Sequence, residues 1–161
     1  MNAKNSNVKI RLAVPNDARA ISSILTEAFA EYESLYTKKA FAATTPTREV
    51  IKSRFNEGWM WVAVLEEKIV GTVSAVSQNK DLYIRSMAIL PVARGNKIGE
   101  QLLETIENFA ARNDFQRITL STTPFLNRAI RLYEKFGFVR IGFDNLYGTP
   151  LITMAKNNST N

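Results

Sequence analysis

The stretch from Leu82 to Thr122 most constrains the fold, because it reads as a strand, a glycine loop, a long helix and a second strand. Leu82 to Leu90 has strand composition and is stopped by Pro91. The helix after the loop is marked by apolar residues at helical spacing, namely Ile98, Leu102, Leu103, Ile106, Phe109 and Ala110. Arg117 to Thr122 then alternates polar and apolar residues. A strand, a crossover helix and a second strand predict a parallel pair.

The segments on either side of this unit predict antiparallel pairing. Met60 to Leu65 and Ile69 to Gln78 are β-rich runs joined by a short turn, and Phe138 to Phe143 and Leu151 to Ala155 form a second hairpin. Val8 to Val14 adds a first strand. The predicted fold class is α/β, with a mixed, mostly antiparallel sheet of about 6–7 strands, one parallel strand-helix-strand unit, and helices on both faces.

The remaining segments contain three predicted helices and one stretch that is predicted to be irregular. Pro15-Asn16-Asp17 supplies a stop and an N-cap for a first amphipathic helix, and Pro46-Thr47 caps a second helix that ends near Gly58. Asn127 opens a helix that closes at Gly137. The stretch from Glu31 to Thr45 is polar with interspersed aromatics, so it is predicted to be irregular and to hold a substrate loop.

The length of 161 residues favours one domain over residues 1–161, with a core of about 8–155. Residues 1–6 and the tail 157–161 are expected to be disordered. No apolar run approaches the roughly 18 to 20 residues that cross a bilayer, and the start of the chain lacks the apolar centre of a signal peptide. We therefore expect a cytoplasmic protein.

The chain contains no Cys and no His. This composition excludes disulfides, thiolate and imidazole metal sites, and nucleophiles activated by His. Catalysis that depends on the placement of reactants fits this inventory best, and no metal cofactor is expected. Lys and Arg number 21 against 15 Asp and Glu, a net charge of +6, so an anionic ligand is favoured.

The glycine loop matches neither Walker A nor the dinucleotide fingerprint, because no Gly-Lys-Ser/Thr occurs and Gly95 and Gly99 are four residues apart. From Met87 to Leu103 the chain instead resembles motif A of the GNAT superfamily of acyl-CoA-dependent N-acyltransferases, whose loop reads Arg/Gln-x-x-Gly-x-Gly/Ala. Arg94 and Gly99 match that pattern, whereas Lys97 stands where the family commonly has Gly.

The second signature of that family, an Asn followed six residues later by a Tyr, resembles the stretch from Asn127 to Tyr133. The opening strand, the first helix and the first hairpin are also similar to the family, so the resemblance covers about residues 8 to 155. Two spaced motifs in the right order carry more weight than either alone.

The resemblance implies a function and a set of site residues. The chain would be an N-acetyltransferase that transfers an acetyl group from acetyl-CoA directly to a primary amine of a small molecule or protein. Tyr133 would protonate the departing thiolate, and Asn127 either bonds the donor or caps its helix. The other implied donor-binding residues are Met87, Ala88, Ile89, Arg94, Gly95, Asn96, Lys97, Ile98 and Gly99.

Other features leave alternatives open. The predicted strand from Leu82 to Leu90 contains no acidic residue that could serve as a general base. The acids and aromatic rings of Glu31 to Tyr36 either contact a cationic amine or belong to the end of a surface helix. Because Lys97 stands where the family commonly has Gly, a non-catalytic acyl-CoA-binding regulatory module is the alternative to an enzyme. The charge alone suggests nucleic acid, but the basic residues are dispersed, so no nucleic-acid partner is expected. The acceptor, the acyl length and the oligomeric state stay open, a homodimer included.

Overall fold

The computed structural model describes residues 7–158. Its strands are β1 (Val8–Leu12), β2 (Trp59–Leu65), β3 (Lys68–Gln78), β4 (Asp81–Ile89), β5 (Arg117–Thr122), β6 (Val139–Leu146) and β7 (Thr149–Asn157). Its helices are α1 (Ala18–Phe29), α2 (Lys38–Thr44), α3 (Arg48–Arg54), α4 (Ile98–Arg112) and α5 (Asn127–Lys135). Within the described residues, none of these helices combines the length and apolar character needed to cross a membrane.

The seven strands form one mixed sheet in the order β1-β2-β3-β4-β5-β7-β6. β4 and β5 pair in parallel, joined by α4, and the other neighbours pair antiparallel. This arrangement confirms the predicted fold class.

Helices cover both faces of the sheet, as predicted. On one face, α1 and α3 bury Ile21, Leu25 and Ile51 against β2 and the Ala88 side chain of β4. On the other face, the apolar stripe of α4 and one side of α5 pack over the centre of the sheet. Each face therefore removes a continuous apolar surface from water.

The hairpin turns are built by residues with left-handed backbone conformation. Glu66 and Glu67 between β2 and β3 have φ of 51° and 68°, and Tyr147 and Gly148 between β6 and β7 have φ of 47° and 94°. Two such residues match the right-handed twist of an antiparallel pair. The second turn therefore precedes Thr149, and both strands of this hairpin are longer than the sequence predicts.

The prediction that the stretch from Glu31 to Thr45 is irregular is wrong. Ala30–Leu35 is a 3₁₀ turn, and α2 follows. Thr37 caps α2 by accepting a hydrogen bond from the Ala40 N–H at 3.2 Å. Thr37 also docks the helix on the β6–β7 turn, because its N–H donates to Thr149 Oγ1 at 2.9 Å and its hydroxyl donates to the Tyr147 carbonyl at 2.8 Å.

The expected disorder of the tail is also wrong where the structure describes it. Asn157 pairs with Arg117 at the end of β7, and the Asn158 side chain donates to the Phe115 carbonyl at 2.7 Å. These contacts satisfy main-chain groups at the sheet end. Residues 1–6 and 159–161 lie outside the described residues.

Candidate active site

The parallel strands β4 and β5 separate halfway along their length. They pair over four residues of each strand, ending at Ile84 opposite Leu120. β4 then bulges at Arg85, since the residues on either side of it pair with consecutive residues of β3. Beyond the bulge, β4 runs to Ile89 with only β3 beside it, and β5 runs to Thr122 with only β7 beside it. The sheet therefore contains a wedge-shaped gap, and one edge of β4 faces it without a strand partner.

A cleft of about 690 Å³ passes through this gap. Met87, Ala88 and Ile89 line it, as the sequence analysis expects, together with Ser121 and Thr122 from the facing strand. Main-chain N–H and C=O groups at an open strand edge can bond an extended ligand as they would bond another strand. The gap is thus suited to a narrow, amide-containing chain.

The glycine loop forms the rim of the cleft where α4 begins. Arg94, Gly95, Lys97, Ile98 and Gly99 line the cleft, with the N-terminus of the 15-residue α4 beside them. The free N–H groups and the positive dipole end of a helix attract anions.

Asn96 stabilises the loop but is not among the residues that line the cleft. Its side-chain amide donates to the Ala93 carbonyl at 2.9 Å. Its Oδ1 is buried and has no hydrogen-bond partner among the described residues. A buried acceptor of this kind is costly unless a donor group reaches it. The loop therefore holds one polar atom that a ligand or a water molecule can satisfy.

Lys97 has a left-handed backbone, with φ of 60°, at the N-cap of α4. This conformation explains why the family pattern has glycine here, since a side chain at positive φ costs about 1–2 kcal/mol. Lys97→Gly relieves this strain, but glycine also increases the conformational entropy of the unfolded chain, which offsets part of the gain. The net expectation is a rise of about 1 kcal/mol in the free energy of unfolding. We also expect weaker acetyl-CoA binding by up to about fivefold, because an exposed ammonium is worth roughly 0.2–1 kcal/mol to a nearby anion. Urea denaturation and calorimetric titration measure the two effects.

Lys97→Met is the matched control for this change, because it removes the charge but keeps the strained backbone. It should lose the same affinity without the gain in stability. Tighter binding of acetyl-CoA by Lys97→Gly would contradict the charge role and show that the Lys97 side chain obstructs the donor.

Gly99 lies where α4, α5 and β4 meet. A Cβ atom on this residue would be 2.8 Å from Leu132 Cδ2 and 3.2 Å from Ile89 Cδ1. These distances are shorter than ordinary carbon contacts, so the absence of a side chain lets the helices pack closely. Gly99 thus has a packing role in addition to the phosphate role that the sequence suggests.

Tyr133 lies on the inner face of α5 and lines the cleft. Its side chain is 7% exposed, and its ring packs edge to face on Phe138 at 5.9 Å between centroids. Burial raises the pKa of Tyr133 to about 12. The phenol therefore stays protonated near neutral pH and can donate a proton or a hydrogen bond.

The structure separates Asn127 from the cleft. Asn127 is exposed and is the first residue of α5, while Leu126 takes the N-cap position. Leu126 and Arg128 on either side do line the cleft. The interpretation of Asn127 as the helix cap is wrong. Its predicted role in donor binding stays a prediction.

Two other basic residues near α5, Lys135 and Arg140, are engaged in ion pairs. Lys135 bonds Glu100 at 2.7 Å, and Arg140 lies 3.6 Å from Glu134. These pairs support a solvated helix face. Arg128 is the basic residue of α5 that reaches the cleft.

Aromatic rings form one wall of the cleft. Tyr32 in the 3₁₀ turn and Tyr36 directly after it line the cleft, and Phe125 packs against both rings, at centroid distances of 5.8 Å and 5.1 Å. Burial raises the pKa of Tyr36, and the neighbouring Thr123 hydroxyl partly offsets this effect. Within the part of the chain that the structure describes, that hydroxyl makes no hydrogen bond of normal geometry. The rings of this segment therefore face the cleft, as one interpretation of the sequence anticipated.

The acids of the same segment do not face the cleft. Glu31 bonds Arg94 of the glycine loop at 3.2 Å, and Glu33 is exposed outside the lining. Asp81, the first residue of β4, pairs with Arg117 at 2.9 Å. Among the described residues, Glu100 is the carboxylate that lines the cleft, and Lys135 neutralises it. The structure thus presents no unpaired carboxylate there for a general base.

Arg54 and Arg85 are lining residues that the sequence analysis missed. Arg54 ends α3, and Arg85 occupies the bulge of β4. Arg54 belongs to an ordinary amphipathic helix pattern, so no local signal marks it. Arg85 lies in a sequence typical of a strand, and the bulge at this residue depends on pairing with β3, so the local sequence gives no sign of it.

Comparisons with known proteins agree with this geometry. A family model described as the acetyltransferase (GNAT) family matches residues 19–138. The chain is 29% identical over 147 residues to an uncharacterized N-acetyltransferase, YjgM, of Escherichia coli, a match that covers 88% of this chain and 87% of that protein. It is 36% identical over 95 residues to an N-acetylaspartate synthetase of Danio rerio, covering 58% of this chain and 34% of that protein. The chain thus spans about a third of the length of such relatives.

Solved structures share the fold at low sequence identity. PaiA N-acetyltransferase of Thermoplasma acidophilum, in complex with coenzyme A, superposes with a TM-score of 0.77 at 16% identity, covering 94% of this chain and 99% of that one. The ribosomal-protein-S18-alanine N-acetyltransferase of Escherichia coli gives 0.72 at 16% identity, with 94% of each chain covered. The family match spans most of the chain and confirms the resemblance found in the sequence: the chain belongs to the GNAT family of acetyltransferases.

Proposed function

We propose that the protein is an N-acetyltransferase that uses acetyl-CoA to acetylate a primary amine, with residues 8–155 forming the core of a single catalytic domain. The main support for this proposal is the gap between β4 and β5. The cleft at this gap is lined by the N-terminus of α4, which suits phosphates, and by the buried, protonated Tyr133. Family membership supports the same activity.

The residues present fit acetyl-CoA. The open edge of β4 at Met87, Ala88 and Ile89 suits the two amides of the pantetheine arm. The N–H groups of the glycine loop and of the start of α4 suit the pyrophosphate, with Arg94 and Lys97 adding positive charge at the rim. Bound there, acetyl-CoA supplies an activated acyl group in the gap.

Transfer then needs placement more than a special nucleophile. The neutral amine attacks the thioester carbonyl, so that a C–N bond forms and the C–S bond breaks. Tyr133 donates its proton to the departing sulfur, the nitrogen gives up one proton to water, and Tyr133 is reprotonated from that water. The products are an amide and the free thiol of CoA. The lack of an unpaired carboxylate in the cleft among the described residues is consistent with an amine that loses its proton to solvent.

Acetyl-CoA is expected to stabilise the fold by binding. At about 100 times its dissociation constant it should add roughly 2.7 kcal/mol to the free energy of unfolding, measured as a rise in the thermal midpoint. Acetyl-pantetheine, which lacks the phosphates, is the control and should give a much smaller shift. A flat melting curve up to millimolar acetyl-CoA would contradict the donor site.

Turnover separates the two candidate functions. Thiol release with a panel of amines supports the transferase. A thermal shift without turnover of any amine supports the non-catalytic acyl-CoA-binding module. The preference for acetyl over longer acyl groups is tested in the same assay with propionyl-CoA and butyryl-CoA.

The remaining expectations from sequence stay predictions. These are a cytoplasmic location, catalysis without a metal, the absence of a nucleic-acid partner, and the homodimer that the sequence leaves open. The acceptor is open as well, because the relatives range from N-acetylaspartate synthetases to a ribosomal-protein-S18-alanine N-acetyltransferase.

A further inference from the structure

Arg54 is a partly buried cation that lines the cleft from the end of α3. Its guanidinium group makes no hydrogen bond or ion pair with any described residue, whereas its main-chain carbonyl accepts a hydrogen bond from the Glu57 N–H at 3.0 Å. Burial, and then the nearby Arg85, lower the pKa of Arg54, and the nearby Glu57 carboxylate offsets part of this effect, so the charged form is held at a cost. An anion placed beside it would offset that cost.

The charges around Arg54 leave one net positive charge. Arg85 donates to Glu57 at 2.8 Å, which makes that pair neutral. The same cleft is lined by the uncharged residues Ala43, Leu146 and Leu151. A single positive charge matches a monoanion such as a carboxylate better than a doubly charged phosphate monoester.

Arg54 is at the opposite face of the sheet from the donor loop. α3 packs with α1 on one face, whereas the loop and α4 lie on the other face. The cleft passes through the gap and joins the two faces. A donor held by the loop therefore presents its acyl group in the gap, and the second substrate approaches it from the face where Arg54 lies.

We infer that Arg54 binds a carboxylate of the acceptor, so that the acceptor class is an amine that also carries a carboxylate, as a free amino acid does. This inference rests on the proposed function. The planar guanidinium can bond both oxygens of a carboxylate at once, which orients as well as attracts the acceptor. Arg54 is thus a specificity residue that does not touch the reacting atoms.

The experiment compares amines that differ only in the anionic group. Amino acids, their amides and their aminophosphonate analogues are assayed for thiol release with saturating acetyl-CoA. The parent is expected to prefer the amino acid over its amide by about 10- to 100-fold in kcat/KM, which is typical for one charged hydrogen-bonded contact. Arg54→Met should abolish this preference by raising KM for the amino acid, with a smaller change in kcat. Arg54→Lys should restore part of it.

Arg19→Met is the matched control, because Arg19 is exposed on α1 outside the cleft and the change removes the same charge. It should keep the parental preference. Equal rates with amino acids and amides, or a preference that survives in Arg54→Met, would overturn the inference while the transferase stands. A preference for aminophosphonates would replace the carboxylate with a phosphate. No turnover of any amine in the parent would remove the proposed function, and the inference with it.

Discussion

Tyr133→Phe is expected to lower kcat by about 10²- to 10⁴-fold, the range typical of a lost general acid. The substitution keeps the ring that packs on Phe138 and removes only the hydroxyl. Acetyl-CoA affinity and the thermal midpoint should therefore change little. A thiol has a pKa near 8.5, so the sulfur is already a fair leaving group and the loss should lie toward the low end of the range. Single-turnover kinetics measures the effect where chemistry limits the rate.

The pH dependence tests the same assignment. Because burial raises the pKa of Tyr133 to about 12, the phenol stays protonated through the assay range and should give no alkaline fall in rate below about pH 11. Raising the pH should narrow the gap between Tyr133→Phe and the parent, since a thiolate then leaves without a proton. Tyr147→Phe is the control, because Tyr147 is 61% exposed and does not line the cleft. Parental turnover by Tyr133→Phe at neutral pH would assign the acid to water or to another residue.

Gly99→Val is expected to weaken both the fold and the binding of acetyl-CoA. Its Cβ would lie 2.8 Å from Leu132, so the start of α4 must move away from α5. Overpacking of this kind costs about 1–3 kcal/mol, and each kcal/mol lowers the thermal midpoint of a chain of this size by roughly 2–4 °C. The N–H groups at the start of α4 move with the helix, so acetyl-CoA affinity should fall as well.

A second substitution separates packing from phosphate binding. Leu132→Val shortens the side chain that the new Cβ meets, so it should recover part of the stability in the Gly99→Val background while costing stability alone. Acetyl-CoA affinity of the double variant reports whether the loop has returned to its place. Parental stability of Gly99→Val would mean that the helices are not tightly packed here. Lost stability with intact acetyl-CoA affinity would mean that the phosphates bind elsewhere.

Local patterns were sufficient for most of the fold. The parallel unit β4-α4-β5 and the hairpin of β2 and β3 follow from periodicity and turn residues, and they appear with boundaries within about one residue. The last hairpin is longer than its pattern predicts, α3 ends at Arg54 rather than near Gly58, and α2 is missed altogether because its sequence is typical of a polar loop. Its cap residue Thr37 bonds Thr149 and the Tyr147 carbonyl, more than a hundred positions along the chain. A short helix stabilised by such distant contacts leaves only a weak signal in its own sequence.

The sequence by itself was sufficient to predict the proposed donor site of this protein. The glycine loop and Tyr133 each belong to a contiguous sequence motif. The first motif lies on the continuous unit of β4, the loop and α4, and the second lies on α5, so local structure fixes the spacing of their residues. Only the tertiary structure decided the rest. The gap depends on where β4 and β5 stop pairing, and the aromatic wall, the neutralised acids and Arg54 depend on contacts between segments far apart in the chain. These contacts depend on how the helices pack on both faces of the sheet. The spacing of residues along a single segment contains no information about that packing.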